Sequence, residues 1–378
     1  MSLGKALETK IYHQSQSLLV IGGGRWAREI IGVLKTILSK EDVITACSKI
    51  HYDQLISWIK QKDFLNVNAI QEIKHLNLSD YSAVIIVNSA RDHFDSAMMM
   101  MNHNLPVLVE KPIAFTTQQF HLMIKNASER NLLLASANVF LFSTFINNFS
   151  EVIRDSKPKK IELVWTDQKS NLWSYGERLY DSSISVFQDV LPHVFSIFQI
   201  VFPNAHYELQ SFTLERGGAK IIITVLMGEV DCLITLERNA TLRQRKLIVN
   251  SEDDIFCYDF KVEPPSIYKN GRILKSFSKE NKYYSPLTNL ISKFLSALKD
   301  GVLDFRLNPK FSLLPCQFID LINASYKEKL RELISDELKK DSRFKDDLIY
   351  ALEEILQEGS RLTRAELDVQ IETYFQLA

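Results

Sequence analysis

The sequence predicts an α/β chain that opens with a doubly wound parallel sheet and continues into an α+β domain with a largely antiparallel sheet. Short apolar runs alternate with helical patterns from residue 18 to about residue 137. After about residue 149 the hydrophobic period changes to two, and beyond about residue 326 the chain becomes charged and helix-favouring. We therefore divide the chain into residues 1–140, residues 141–326 and a helical carboxy-terminal extension at 327–378.

The first segment reads as five buried strands joined by helices. Continuous aliphatic and β-branched runs predict strands at residues 18–21, 43–47, 83–87, 107–109 and 132–135. Helical periodicity predicts helices at residues 25–38, 52–60, 93–104 and 117–130. Buried strands that alternate with helices are typical of a parallel sheet covered on both faces, and right-handed crossovers make such a sheet doubly wound.

The second segment changes to strands with one buried face. Runs such as IELVWT, KIIITVLMG and DCLITLERN alternate with period two, which favours antiparallel pairing. Helices are predicted at residues 185–201, 287–298 and 314–324. In the third segment Leu330, Leu333 and Leu338 recur at helical spacing, so we predict amphipathic helices docked on the body or on a partner subunit.

Composition argues against several classes of function. The net charge of −1 lacks the surplus of Lys and Arg that nucleic-acid binding requires. The four cysteines lie far apart without CxxC spacing, so we predict neither a metal site nor a disulfide framework; they are Cys47, Cys232, Cys257 and Cys316. No signal-peptide pattern or apolar run of membrane length is found, and we expect a cytoplasmic protein without a membrane partner.

A glycine-rich turn follows the first predicted strand and opens the first helix. Gly22, Gly24 and Ala27 fit the pattern G-x-G-x-x-[GA] within the sequence GGGRWA. Such a turn lets the backbone approach a pyrophosphate at the amino end of the helix, whereas a glycine triplet elsewhere is often a plain turn. Arg25 adds a cation near the phosphates or lies on the helix surface, and Trp26 belongs to the same predicted cofactor-binding set.

The end of the second predicted strand bears on which nicotinamide cofactor is bound. An acid there would hydrogen-bond the ribose 2′-hydroxyl and indicate NAD. Here the strand VITAC is followed by Ser48 and Lys49, a hydroxyl and a cation that suit a 2′-phosphate. We therefore favour NADP(H) over NAD(H), the alternative being that Lys49 is simply an exposed lysine.

The stretch AVIIVNSARDHFDSAMMMMNHNLPVLVEKPIAFT resembles the Gfo/Idh/MocA oxidoreductase family. The resemblance rests on His93 at the start of a helix and on Glu110-Lys111-Pro112 after the next strand, and with the glycine turn it covers about residues 17–140. It implies that Lys111 faces the nicotinamide and the substrate, that Glu110 belongs to the cofactor site and that Pro112 follows a cis bond. His93 and Asn88 are expected at the cofactor groove, with a purely structural role as the alternative for each.

In that family an Asp-x-x-x-His pair on a helix of the second domain completes the site, and Asp189 and His193 match it. A spacing of four residues places both on one helical face. His193 suits proton transfer near neutral pH, Lys111 would polarise the substrate oxygen, and Asp189 would orient His193 or bind a substrate hydroxyl. A local structural pair is the alternative. Pro192 and Ser196 depart from the family pattern, so the substrate pocket is expected to be remodelled.

Together these features predict an NAD(P)-dependent oxidoreductase that transfers hydride between the cofactor and a small sugar, polyol or related carbonyl or imine. A catalytically inactive NAD(P)-sensing regulator or scaffold of the same fold is the alternative. Trp165, Trp173 and Tyr175 are expected to border the pocket, with core packing the other reading for Trp165. The resemblance also implies a homodimer or homotetramer.

Overall fold

Six strands build the sheet of the first domain. They are β1 (Ser17–Ile21), β2 (Val43–Cys47), β3 (Val67–Ile70), β4 (Ala83–Ile86), β5 (Val107–Glu110) and β6 (Leu134–Ala137). They lie in the order β3-β2-β1-β4-β5-β6, and every neighbouring pair is parallel. The strand order reverses at β1, so the carboxyl ends of β1 and β4 flank the crevice in which such sheets bind ligands. The predicted doubly wound sheet is confirmed.

The computed structural model describes residues 16–168, 184–277 and 285–339, together with residues 366, 369 and 370. Trp173, Tyr175 and most of the predicted carboxy-terminal extension therefore lie outside the described residues. Among the described residues, no helix combines the length and the apolar character needed to cross a membrane. The same residues contain no group of three or more His, Cys, Asp or Glu side chains arranged to hold a metal ion.

Four helices accompany the first sheet: α1 (Arg25–Ile37), α2 (Tyr52–Gln61), α3 (His93–Asn102) and α4 (Thr117–Glu129). Two details of the first sheet differ from the prediction. β3 was missed because its sequence VNAI is short and interrupted by Asn68, and only Val67 is buried. β6 starts two residues later than predicted because Leu132 closes the end of α4, donating its backbone N–H to the carbonyl of Ala127 at 2.9 Å.

Eight strands build the second sheet. They are β7 (Pro158–Gln168), β8 (Tyr207–Glu215), β9 (Lys220–Met227), β10 (Val230–Ala240), β11 (Gln244–Ser251), β12 (Ile255–Asp259), β13 (Ser266–Lys269) and β14 (Arg272–Ser276). Their order is β14-β13-β12-β11-β7-β10-β9-β8. Only β7 and β10 are parallel among these neighbours. Buried and partly exposed residues alternate along β9 and β10, as the period of two predicts.

The remaining helices are α5 (Thr144–Val152), α6 (Val186–Val201), α7 (Pro286–Asp300) and α8 (Leu313–Lys339). α6 lies in the core of the second domain, whereas α7 packs against α1 and adds Leu290 and Phe294 to the core of the first domain. α8 does not end at residue 324 as predicted. It continues because Tyr326 and Leu330 are buried in the core of the second domain.

Candidate functional site

A cavity of about 680 Å³ lies between the two domains and collects most of the predicted site residues. Its walls come from the glycine turn, the carboxyl ends of β4 and β5, α6 and the strands of the second sheet. The predicted residues that line it are Arg25, Trp26, Asn88, His93, Glu110, Lys111, Asp189 and His193, together with Trp165. The cavity lining does not include five other predicted residues, Gly22, Gly24, Ala27, Ser48 and Lys49.

The glycine turn is packed tightly against two strand ends. Gly22 has a φ of +143°, and a Cβ atom there would lie 2.5 Å from the carbonyl oxygen of Val87. Its N–H donates to the carbonyl of Cys47 at 2.9 Å, which holds the turn against β2. Gly24 caps α1, and Ala27 is buried beneath the helix. Only glycine fits at position 22, because a side chain would force the turn away from β4.

The two residues predicted to read the ribose lie next to this turn. A Cβ atom on Gly23 would meet the Cβ of Ser48 at 2.6 Å, so the end of β2 and the turn are in close contact. The Ser48 hydroxyl accepts the backbone N–H of His51 at 3.2 Å. Lys49 is exposed. The side chain of Lys49, two residues beyond the end of β2, is thus open to solvent.

His93 ties the Glu-Lys-Pro turn to the end of β4. Only 2% of its surface is exposed, and its Nδ1 lies 2.9 Å from the carbonyl oxygen of Pro112. Its Nε2 lies 3.3 Å from the carbonyl oxygen of Asn88. The Lys111–Pro112 peptide bond is cis, as the resemblance implies. His93 therefore holds the backbone that carries Lys111, which corresponds to the structural reading of this residue.

One buried polar atom in the cavity wall, the amide Oδ1 of Asn88, has no hydrogen-bond partner among the described residues. The other amide atom of Asn88 donates to the hydroxyl of Ser96 at 2.9 Å, which fixes the orientation of the side chain. The indole of Trp26 lies close to the carboxylate of Glu110, and its hydrogen bond opposes the rise of the glutamate's pKa. An unpaired buried polar group is costly unless a ligand or water satisfies it, so an acceptor is available to a bound molecule here.

Asp189 lies between two cations that come from different domains. One carboxylate oxygen is 2.5 Å from Nζ of Lys111, and the other is 3.0 Å from the guanidinium of Arg238. Lys111 also donates to the backbone carbonyl of Asp189 at 2.9 Å. Burial alone would raise the pKa of Asp189, but the charges of Lys111 and Arg238 hold it well below its usual value. Asp189 is therefore an anion at neutral pH.

His193 is one helical turn from Asp189, yet no hydrogen bond joins these two side chains in the described part of the chain. The imidazole stacks instead on the indole of Trp165, with ring centroids 5.3 Å apart and planes at 13°. Phe140 meets it edge-on at 5.1 Å. Burial lowers the pKa of His193 well below its usual value, and the nearby charges of Lys111 and Arg245 act in the same direction. Asp189 thus does not orient His193 as expected, because aromatic stacking holds the ring.

Among the titratable residues that line the described cavity, Glu110 is the one whose pKa is raised toward neutrality. Burial raises its pKa to about 7, and the charge of Lys111 only partly opposes this. Since Glu110 ends β5 directly before Lys111, both groups reach the cavity from one turn. The glutamate consequently changes charge within the physiological range.

Sequence reasoning missed the cations of the second sheet, chiefly Arg238 and Arg245. Arg238 is 1% exposed and donates to the backbone carbonyl of Ile184 at 2.9 Å as well as to Asp189. A signal existed, because Arg238 occupies an inward position of β10 between the buried Leu236 and Ala240. A charged residue on the buried face of a strand indicates a buried partner.

Residues 17–138 match a family model described as "Oxidoreductase family, NAD-binding Rossmann fold" and named GFO_IDH_MocA. The amino-terminal domain thus matches the model of the Gfo/Idh/MocA oxidoreductase family. Its glycine turn and its Glu-Lys-Pro turn both fall inside the matched residues, so the resemblance found in the sequence is confirmed.

A curated relative of this Gfo/Idh/MocA domain is the scyllo-inositol 2-dehydrogenase (NADP(+)) of Bacillus subtilis strain 168. The two are 33% identical over 86 residues, which cover 22% of this chain and 25% of that protein. The chain thus matches about a quarter of the length of that relative.

Solved structures of similar fold extend over both domains. The UDP-N-acetylglucosamine 3-dehydrogenase from Acidithiobacillus ferrooxidans has a TM-score of 0.64 at 16% identity, covering 84% of this chain and 99% of that one. The 3-ketoreductase KijD10 from Actinomadura kijaniata, in complex with NADP and TDP-benzene, has a TM-score of 0.68 at 15% identity, covering 82% and 98%. At these identities the likeness shows the two-domain fold.

Proposed function

We propose that this chain is an NADP(H)-dependent oxidoreductase that transfers hydride between the cofactor and a small sugar, polyol or related carbonyl or imine. The observation that carries the proposal is the meeting of Lys111, Asp189 and His193 in one cavity next to the glycine turn. The relative from Bacillus subtilis acts on an inositol and is named for NADP(+), which supports both the substrate class and the cofactor.

The residues of the cavity fit a nicotinamide dinucleotide. The close-packed Gly22 turn and the amino end of α1 would hold the pyrophosphate, with Arg25 adding a positive charge. The unpartnered Asn88 Oδ1 offers an acceptor to its polar groups. When bound, the nicotinamide supplies the hydride chemistry.

Lys111 would bind and polarise the substrate oxygen. Its ammonium group has three N–H donors, and Asp189 accepts two of them through its carboxylate and its carbonyl. The third donor remains for the oxygen of a substrate carbonyl or hydroxyl. Because Asp189 is an anion held by Arg238, Lys111 is fixed in position.

His193 would serve as the proton acceptor during oxidation. Its lowered pKa keeps the imidazole neutral at pH 7, so a ring nitrogen is free to take the proton of a substrate hydroxyl. In the direction of reduction the same nitrogen would return the proton. Stacking on Trp165 would hold the ring at the cavity wall and exclude water from one face.

The cofactor assignment is tested by fluorescence titration with NADPH and with NADH. We expect wild-type protein to bind NADPH more tightly, and Lys49→Asp to weaken NADPH binding at least tenfold with little effect on NADH. Lys62→Asp, an equal charge change at another exposed lysine of the same domain, is the control. Binding of neither nucleotide would overturn the proposal.

Turnover is tested by a screen of sugars, polyols and imines on wild-type protein and on Lys111→Met. Removing one donor to the reacting oxygen costs roughly 10² to 10³-fold in kcat, so we expect a loss of that size with NADPH binding retained. The exposed Lys125→Met is the matched control. NADPH binding without turnover on any substrate would favour the alternative, an inactive NAD(P)-sensing regulator or scaffold.

We also propose that a second copy of the chain covers the outer face of the second sheet, in a homodimer or homotetramer. Among the described residues, helices pack on one face of the sheet, and the other face presents partly exposed apolar residues such as Ile222, Leu233 and Ile248. Light scattering measures the molar mass of wild-type protein and of Leu233→Lys and so tests this proposal. A monomer in both proteins would contradict it.

The four unpaired cysteines favour the reducing cytoplasm as the location of this protein.

A further inference from the structure

The cavity wall formed by β11 and β12 carries cations that the proposed mechanism does not use. The backbone N–H of Phe260 donates to the carbonyl of Arg245 at 2.9 Å, which extends the pairing of Lys246 with Asp259 by one residue. In an extended strand, side chains two residues apart lie on the same face. Arg243 and Arg245 accordingly both line the cavity, and Lys261 joins them from the segment after β12.

These cations differ in how many ion pairs and hydrogen bonds they form with the protein itself. Arg245 is buried, pairs with Asp167 and donates to the carbonyl of Thr166 at 2.7 Å. Arg243 and Lys261 are exposed, and no acidic side chain in the described part of the chain forms an ion pair with either. Of the nearby carboxylates, Glu263 lines the cavity, whereas Asp167 and Asp259 lie outside its lining. Asp167 pairs with Arg245, and Asp259 accepts the backbone N–H of Lys261. The lining of this wall therefore holds more cations than carboxylates.

Arg245 places this wall close to His193 of the proposed reaction centre. The guanidinium of Arg245 sits 3.9 Å from the ring centroid of Trp165, and the ring of His193 lies 5.3 Å from it. Together the two distances place the guanidinium of Arg245 within about 9 Å of His193. Arg243 and Lys261 line the same cavity as His193 and Arg245.

We infer that the substrate carries an anionic group, a phosphate or a carboxylate, which Arg243 and Lys261 bind at the end remote from the reacting carbon. This inference rests on the proposed function, because it assigns the substrate end of the same cavity. Charge-assisted hydrogen bonds from two unpaired cations favour an anion over a neutral group of similar shape. Arg245 and Trp165 form the rigid floor of this subsite.

The test is calorimetric binding to protein saturated with NADPH, so that the cofactor phosphates do not compete. The probes are pyrophosphate, D-glucuronate and D-glucose, which separate a phosphate from a carboxylate and both from a neutral sugar. We expect at least one anion to bind tenfold or more tightly than D-glucose, with affinity falling as the salt concentration rises. The anion preferred identifies the charged substituent.

The double variant Arg243→Ala/Lys261→Ala should lose this tenfold preference. Arg154→Ala/Arg272→Ala removes two exposed cations of the second domain outside the cavity and should keep the preference. Equal binding of anions and D-glucose, or anion binding unchanged in the cavity variant, would overturn the inference. NADPH titration of the same samples reports separately on the proposed function, because absent NADPH binding contradicts the function and an absent anion preference contradicts only the subsite.

Discussion

Asp189 shows how one carboxylate can determine the contacts of several neighbouring side chains. Its side chain receives Lys111 from the first domain and Arg238 from the second, at 2.5 Å and 3.0 Å. Each oxygen contacts a cation, and neither forms a hydrogen bond with the imidazole of His193 in the described part of the chain. The residue thus fixes the position of Lys111, and the ring of His193 depends on aromatic neighbours.

His193→Gln is expected to change the pH dependence of stability. The lowered pKa means that the folded imidazole stays neutral, whereas the unfolded one binds a proton below its usual value of 6.5. The free energy of unfolding should therefore decrease as the pH falls below 6.5, by up to about 1.4 kcal/mol per pH unit from this group.

Urea unfolding at pH 7.5 and pH 5.5 measures this difference. His193→Gln should lose less stability than wild-type protein between the two values. The control is His206→Gln, which replaces an exposed histidine and should retain the wild-type slope. Equal slopes in all three proteins would contradict the burial of a neutral imidazole.

Arg238→Met is expected to lower the free energy of unfolding by about 3 kcal/mol, since removing one partner of a buried ion pair leaves the other undercompensated. Arg238 is 1% exposed and also donates to the carbonyl of Ile184, which loses its partner in the variant. Denaturant unfolding measures the effect, with the exposed Arg272→Met as the matched control. If Arg238→Met lowers the free energy of unfolding by less than Arg272→Met does, the ion pair of Arg238 with Asp189 contributes nothing to stability.

The glycine turn is the element whose sequence and geometry agree most closely. The pattern requires glycine where the chain turns and where the backbone approaches β4, and Gly22 satisfies both conditions. By contrast, a Cβ atom on Gly32, in the middle of α1, would meet no heavy atom within 4 Å. The two glycines therefore differ in what an added methyl group would do.

Gly22→Ala is expected to lower the free energy of unfolding by about 2 kcal/mol, because the methyl group meets a backbone oxygen and the positive φ is strained. It should also weaken NADPH binding at least tenfold. Gly32→Ala should instead raise stability by roughly 0.5–1 kcal/mol through the helix propensity of alanine. Denaturant unfolding and NADPH titration of both variants test this, and similar behaviour of the two would refute it.

At the scale of the whole molecule, α8 connects the two domains. Its Asp320 accepts the backbone N–H of Thr117 at the start of α4, at 2.5 Å. The thiol of Cys316 donates to the carbonyl of Ala114 at 3.3 Å. On the other side Phe318 packs on Phe195 in the core of the second domain, with ring centroids 4.5 Å apart. A loss of packing on α8 should therefore weaken both domains.

Phe318→Ala is expected to lower the free energy of unfolding by about 3–5 kcal/mol, because it leaves a cavity in a close-packed core. Leu321→Ala, on the same helix but 55% exposed, should change it by less than about 0.5 kcal/mol. Thermal unfolding followed separately by circular dichroism and by NADPH binding tests whether both domains respond. Equal effects of the two substitutions would contradict the role of α8.

Much of this molecule follows from local sequence alone. Apolar runs determined five strands of the first sheet, and the glycine turn and Glu-Lys-Pro motif determined where the cavity lies, since both sit at the carboxyl ends of parallel strands in one sheet. Those features depend on residues that are close in the chain. Their spacing and backbone requirements can therefore be recognised without knowledge of tertiary contacts.

Tertiary structure decided what depends on distant partners. β3 and the length of α8 escaped prediction because Val67, Tyr326 and Leu330 are buried by segments far away in the chain. The pairing of Asp189 with Lys111 and Arg238, rather than with His193, joins residues 78 and 49 positions apart. Charge and packing act through space, so only the folded chain determines which groups share a proton or a counter-ion.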